Sequence, residues 1–141
     1  MVGTRIGESG WYDITQERIN AFAEPTEDRQ FIHIDPEAAR DGPFGQTIAH
    51  GFLTLSLLPA MLDNSTVPAI RDRKTLINYG CNKLRFLTPV KSGKRVRGVF
   101  TLLELIEKRP GQWQETLEFT VEIEGEDKPA LIAEWVLQFL V

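Results

Sequence analysis

Only one cysteine, Cys81, and two histidines, His33 and His50, occur among the 141 residues. A lone cysteine excludes an intramolecular disulfide framework. With so few thiols and imidazoles, a conventional zinc site would need carboxylates to complete it, and no ligand spacing suggests one. Long hydrophobic runs are missing too. The most apolar stretch, residues 48–62, is interrupted by His50, Thr54, Ser56 and Pro59, and it is shorter than the ~20 residues of a membrane span. Residues 1–13 lack the charged-then-apolar opening of a secretory signal. There is no G-x-x-x-x-G-K-[ST] or G-x-G-x-x-G phosphate loop, no G-x-S-x-G elbow and no H-E-x-x-H helix. Asn64-Ser65-Thr66 spells a glycosylation acceptor, which the missing signal reduces to a chance match. The expectation is a cytoplasmic protein with no membrane segment, metal or bound cofactor.

What is present is ordinary globular composition, 42% hydrophobic and 26% charged. The length predicts one domain over residues 1–141, enough to bury roughly 68% of the unfolded surface. The net charge of −4 argues against general nucleic-acid binding, but the charge is unevenly spread. Residues 71–97 hold nine basic side chains against Asp72 alone, so that segment is +8 and the remainder −12. Such a patch suits a small polyanion such as a nucleotide or a phosphorylated carrier. Solvated strand faces and turns would carry the same charges.

The first helix is predicted over residues 16–23. Thr15 is a good N-cap, Ile14 and Ile19 have hydrophobic-staple spacing, and Pro25 ends it. A second helix starts after Asp35, which caps it, with Pro36 in the first helical position and Glu37 following. A third, over residues 49–62, carries Phe52, Leu53, Leu55, Leu57, Leu58, Met61 and Leu62 in nearly every direction. It is therefore expected to be buried almost all round, with a kink or early end at Pro59. The second half of the chain supplies something to wrap it. Leu117, Phe119, Val121 and Ile123 alternate with Glu118, Thr120, Glu122 and Glu124, a half-buried strand. Leu131, Ala133, Trp135, Leu137 and Phe139 form another period-two run. Residues 75–87 and 95–105 are two further strands. The turns at Ser92-Gly93, Pro110-Gly111 and Gly125-Glu126-Asp127 permit antiparallel hairpins and leave no room for crossover helices. The fold class is α+β, a long antiparallel sheet curled around one central apolar helix.

Two places could carry chemistry. Asp28 and His33 are five apart, about 140° of rotation on a regular helix, so they share no helical face. To act together they need the segment between Pro25 and Asp35 to be a loop that folds both inward. There a carboxylate and an imidazole could handle a water molecule as general base and acid. A surface carboxylate and a partly buried histidine with no joint role fit the spacing as well. The second place is His50-Gly51 at the start of the apolar helix. Free N–H groups there, with glycine permitting close approach, make a hole for a developing oxyanion. The alternative is that Gly51 only allows tight helix–sheet packing, and His50 itself reads as a satisfied core histidine.

Asp28 to His33, Asp35-Pro36, Phe44, His50-Gly51 and the apolar helix resemble the MaoC-like, (R)-specific enoyl-CoA hydratases over essentially the whole chain. The D-x-Q-aromatic-I-H spelling, the G-P-F-G loop and A-H-G-x-L-T-L-S-L-L-P resemble the nodulation-protein-N-like branch most. The resemblance implies a hot-dog fold and paired protomers, so that a homodimer or higher even oligomer is expected. It implies Asp28 and His33 as the catalytic dyad and Gly51 as N–H donor to the substrate thioester oxygen. Syn addition of water to a trans-2-enoyl thioester would give a (3R)-3-hydroxyacyl thioester, carried on CoA or on an acyl carrier, with dehydration as the reverse. Gln30 and Phe31 stand where commoner relatives have asparagine and proline, a hydrogen-bonding side chain and an aromatic wall for the substrate. Lys83 and Arg85, on the strand after the apolar helix, are the expected carrier-phosphate contacts. A hot-dog thioesterase and a non-catalytic acyl-thioester-binding protein remain the alternatives.

Overall fold

The alternating runs of the second half become four long strands in a computed structural model that describes all 141 residues. In chain order the elements are β1 (Arg5–Glu8), β2 (Tyr12–Asp13), α1 (Gln16–Thr26), α2 (Phe31–Ile34), α3 (Pro36–Arg40), α4 (Gly51–Ser56), α5 (Leu58–Asp63), β3 (Thr75–Phe86), β4 (Arg95–Arg109), β5 (Gln112–Ile123) and β6 (Leu131–Leu140). All pairings are antiparallel, in the order β1-β4-β5-β6-β3, with β2 also against β4. The sheet is α+β hot-dog architecture, with α4 and α5 against its inner face. Leu117, Phe119, Val121 and Ile123 all point into the core, as do Leu131, Ala133, Trp135, Leu137 and Phe139.

Two of the three expected hairpins form, β4–β5 through Pro110-Gly111 and β5–β6 through Gly125-Glu126-Asp127. The third does not. β3 pairs with β6, on the opposite side of the sheet from β4. The link through Ser92-Gly93 is a crossing: Leu87 and Thr88 N–H donate to Ala130 O, and Ser92 N–H to Thr47 O. Short links limit what can lie between two strands, but not whether those strands pair.

The helices hold three further corrections. α1 runs on through Pro25 to Thr26 and stops at Glu27, whose φ is 60°. Proline in the last turn removes one hydrogen bond, and the Thr26 hydroxyl donates to Phe22 O close by. The single helix expected over residues 49–62 is two short ones meeting at Leu57, so the break precedes Pro59, which enters in the first turn of α5. Nor is it buried all round: Leu53, Leu58 and Met61 are, but Phe52 is 64% exposed. Met61 packs on β4 where Gly98 leaves room; a Cβ there would lie 3.1 Å from its sulfur. The predicted caps hold. Thr15 accepts from Arg18 N–H, Asp35 accepts from Ala38 N–H, and Ile14 and Ile19 are fully buried.

Glu115 breaks the apolar face of β5. It is buried on the inner side, and burial pushes its carboxyl up from the usual range, with Arg73 pulling the other way. A carboxyl raised in the folded state contributes its stability below the unfolded pKa and loses it as pH rises through the folded value. Glu115→Gln is therefore expected to raise Tm at pH 8, with the gain vanishing by about pH 4, where the unfolded side chain is itself largely protonated. Melting curves across pH check this; a variant less stable at pH 8 would contradict it.

Candidate active site

Between Pro25 and Asp35 only Glu27 to Gln30 are loop. From Phe31 the chain closes one helical turn, with His33 and Ile34 N–H donating to Gln30 O at 2.9 and 3.3 Å. That turn carries His33 inward, where it is 6% exposed. Its Nδ1 lies 2.8 Å from Ile48 O. A carbonyl can only accept, so Nδ1 carries a proton, and in the neutral form of the ring Nε2 is the lone pair. Asp28 Oδ2 lies 4.0 Å from that Nε2. Two acceptors 4.0 Å apart leave room for one water at about 2.8 Å from each, with an angle near 90° at its oxygen. The spacing that excludes a shared helical face thus produces a water-sized gap between carboxylate and imidazole.

His33 also lines a cleft of about 420 Å³. Gly51 and Phe52 at the start of α4, Thr54 one turn on, and Phe86 to Val90 of the crossing link form its walls. In the first turn of α4, Leu53 and Thr54 N–H donate to His50 O, leaving Gly51 and Phe52 N–H without chain partners. A Cβ on Gly51 would sit 2.9 Å from the Phe86 ring. Glycine therefore lets an aromatic wall lie directly against the helix start.

Other expected contacts fall elsewhere. Gln30 and Phe31 are exposed and outside the cleft wall, Gln30 capping α2 through its backbone and Phe31 standing beside Gly42. Lys83 is exposed with Glu134 at 3.6 Å, and Arg85 donates to Leu84 O. Neither belongs to the cleft wall. Much of the +8 segment is neutralised in space: Lys94 pairs with Glu126, Arg95 with Glu124, and Arg97 with Glu122 and Glu8.

Some residues around the pair were not legible as site residues. Gln16 at the start of α1 donates through Nε2 to His33 O at 2.7 Å, and its Oε1 accepts from the Thr47 hydroxyl. The only hint of them was polar residues flanking apolar Ile14 and Ile48. His50, read as a satisfied core histidine, is buried as expected but only half satisfied. Its Nε2 donates to Asp28 O at 2.9 Å and its ring stacks on His33 at 4.0 Å, but its buried Nδ1 has no partner.

Asp28, His33 and His50 bring one ligand atom each within 4.8 Å of one another. The geometry is poor for a metal. The two rings stack 4.0 Å apart at 22°, so an ion about 2.1 Å from a nitrogen of each would lie far out of both ring planes. The arrangement suits a water handled by an acid–base pair.

A sheet around a broken apolar helix is hot-dog architecture, and a carboxylate–imidazole pair beside free helix-start N–H groups suits dehydratase chemistry. The chain belongs to the MaoC-like dehydratases, enzymes of the hydro-lyase type: the MaoC like domain family matches residues 1–126. It is 50% identical to nodulation protein N of Rhizobium leguminosarum bv. viciae over 136 residues, 96% of this chain and 84% of that protein. It is 46% identical to 3-hydroxyacyl-thioester dehydratase Z of Mycobacterium tuberculosis H37Rv over 138 residues, 98% and 90% of the two chains. The (R)-hydratase from A. caviae involved in PHA biosynthesis superposes with a TM-score of 0.73 at 26% identity, covering 97% of this chain and 95% of that one.

Proposed function

We propose that the protein is an (R)-specific hydratase and dehydratase of acyl thioesters, interconverting trans-2-enoyl and (3R)-3-hydroxyacyl forms. The observation that carries this is the 4.0 Å gap between Asp28 Oδ2 and His33 Nε2, with the other ring nitrogen anchored on Ile48 O. In hydration, a water in that gap attacks C3. One of its protons passes to the Asp28–His33 pair, and the pair returns a proton to C2 on the same face, so the addition is syn. Gly51 N–H donates to the thioester oxygen and stabilises the charge that develops there as the C2–C3 double bond yields its electrons. The names of the relatives above support the substrate class, and the apolar cleft offers the acyl chain a wall.

The test is incubation with crotonyl-CoA, following double-bond absorbance and free thiol together. Loss of absorbance without thiol is expected, and the product should be inert to an (S)-specific 3-hydroxyacyl dehydrogenase. Thiol release would identify a thioesterase, and no change with any enoyl thioester would leave a binding protein.

The proposed working unit is a homodimer. β3 is the last strand of the sheet, so one row of its backbone groups is unpaired, and Ile77, Tyr79, Phe86 and Leu87 on and just beyond it are each about half exposed or more. A long apolar edge of this kind is a surface for pairing. Sedimentation at micromolar concentration is expected to give at least twice the 16.0 kDa chain mass, and Tyr79→Glu to shift it towards the monomer. A monomeric parent would refute the dimer.

A further inference from the structure

We propose that His50 is a positioning residue for the Asp28–His33 pair, a role that rests on the dehydratase reading above. Asp28 lies in the link between α1 and α2, and its side chain is 39% exposed. Within its own segment the carboxylate receives only the long contact from Gln30 N–H, at 3.5 Å. What ties this residue to the interior is the His50 Nε2–H bond to its carbonyl, at 2.9 Å. The same ring is one face of the stack that holds His33, and the Phe22 ring meets it, tilted by 53°, at 5.0 Å. The backbone of His50 meanwhile accepts from Leu53 and Thr54 N–H and starts α4. One residue thus fixes the carboxylate's backbone, the plane of the imidazole and the start of the helix that presents Gly51.

The residue type follows from that double task. Phenylalanine would supply the flat face without the donor; glutamine would supply the donor without the face. Histidine does both and leaves a buried lone pair at Nδ1 with no partner from the chain. An orphaned buried acceptor is destabilising. A side chain kept only for packing would not carry it. His50 is 2% exposed and forms no part of the cleft wall, so it acts through Asp28 and His33 and not on substrate.

The experiment compares His50→Phe, His50→Gln and His50→Leu with the parent, each assayed for hydration of crotonyl-CoA and for thermal melting. His50→Phe and His50→Leu are expected to lower kcat about 10- to 100-fold, the scale of lost support to a reacting group, with KM within about threefold. His50→Gln, which keeps a donor near the Nε2 position, should recover several-fold over His50→Phe. His50→Phe should melt within a few degrees of the parent, because the unpartnered Nδ1 and the bond to Asp28 O are lost together. A spectroscopic readout needs no turnover. Because the chain has two histidines, imidazole ¹⁵N spectra at about pH 8.5, where ordinary imidazoles are neutral, should show one Nδ1–H ring and one Nε2–H ring. The Nε2–H ring should be the one missing from His50→Gln. An Nδ1–H tautomer for His50 overturns the role, as does parent-like kcat in folded His50→Phe from an active parent. A parent with no hydration activity overturns the dehydratase reading, and this role falls with it.

Discussion

His33→Ala is expected to lower kcat for enoyl-thioester hydration by about 10² to 10⁴-fold, the usual range for general acid–base catalysis. The imidazole is anchored at Nδ1 by Ile48 O and aims Nε2 at Asp28, so alanine removes the atom proposed to handle the proton and leaves the cleft standing. Some stability goes as well, because Ile48 O loses a buried partner; kcat must therefore be taken per folded site. Asp28→Asn separates the two effects, since its side chain is 39% exposed and the amide keeps the shape. It should melt near the parent and still lose activity on a similar scale. Residues that hold one water fail as a unit, so the double variant should fall little below the worse single one. Multiplicative losses would mean that the two act in separate steps. Parent-like turnover in folded His33→Ala would remove the pair from the mechanism altogether.

The parts of this fold legible from residues alone are those fixed by neighbours in sequence. The Thr15 and Asp35 caps, the buried Ile14 and Ile19, and the alternation of residues 117–123 each depend on contacts or periodicities within a few positions, and each is in place. What could not be read depends on distant partners. Thr75–Phe86 has a strand pattern whichever strand it joins, and its pairing with β6 instead of β4 is set by the crossing link stitched to Ala130 and Thr47. The apolar segment 49–62 looked like a core helix on every side. An apolar residue facing a cleft, as Phe52 does, spells the same letters as one facing a core. In the site, the D-x-Q-F-I-H spelling showed which two groups to watch. It did not show the one-turn helix that brings them together, nor the second histidine stacked behind them from the start of α4.

Gly51→Ala is expected to cost about 10²-fold in activity with little loss of stability, a combination that locates the reason for glycine in the cleft. Glycine is here no concession to backbone strain: Gly51 is not among the residues with positive φ, and alanine is the better helix former by about 1 kcal/mol. The obstacle is Phe86. The new Cβ would lie 2.9 Å from two of its ring atoms and 3.2 Å from a third. The ring is 47% exposed, so it can swing aside at small cost to folding. The space it leaves or enters is the cleft that it and Gly51 both line. In the proposed mechanism a displaced wall would misplace the acyl group relative to the Asp28–His33 pair, and an ångström of misplacement can cost about 10²-fold. Melting curves and kcat/KM on crotonyl-CoA measure the two halves of this expectation. Phe86→Ala removes the obstacle, so adding it to Gly51→Ala should restore part of the lost rate, although Phe86→Ala alone should raise KM through the missing wall. Coupling of that sign is what two residues in direct contact produce. A Gly51→Ala variant with parent-like kinetics would show that the bare Cα is not needed beside the substrate. A double variant no better than Gly51→Ala would move the fault from the Phe86 ring to the aim of the N–H itself.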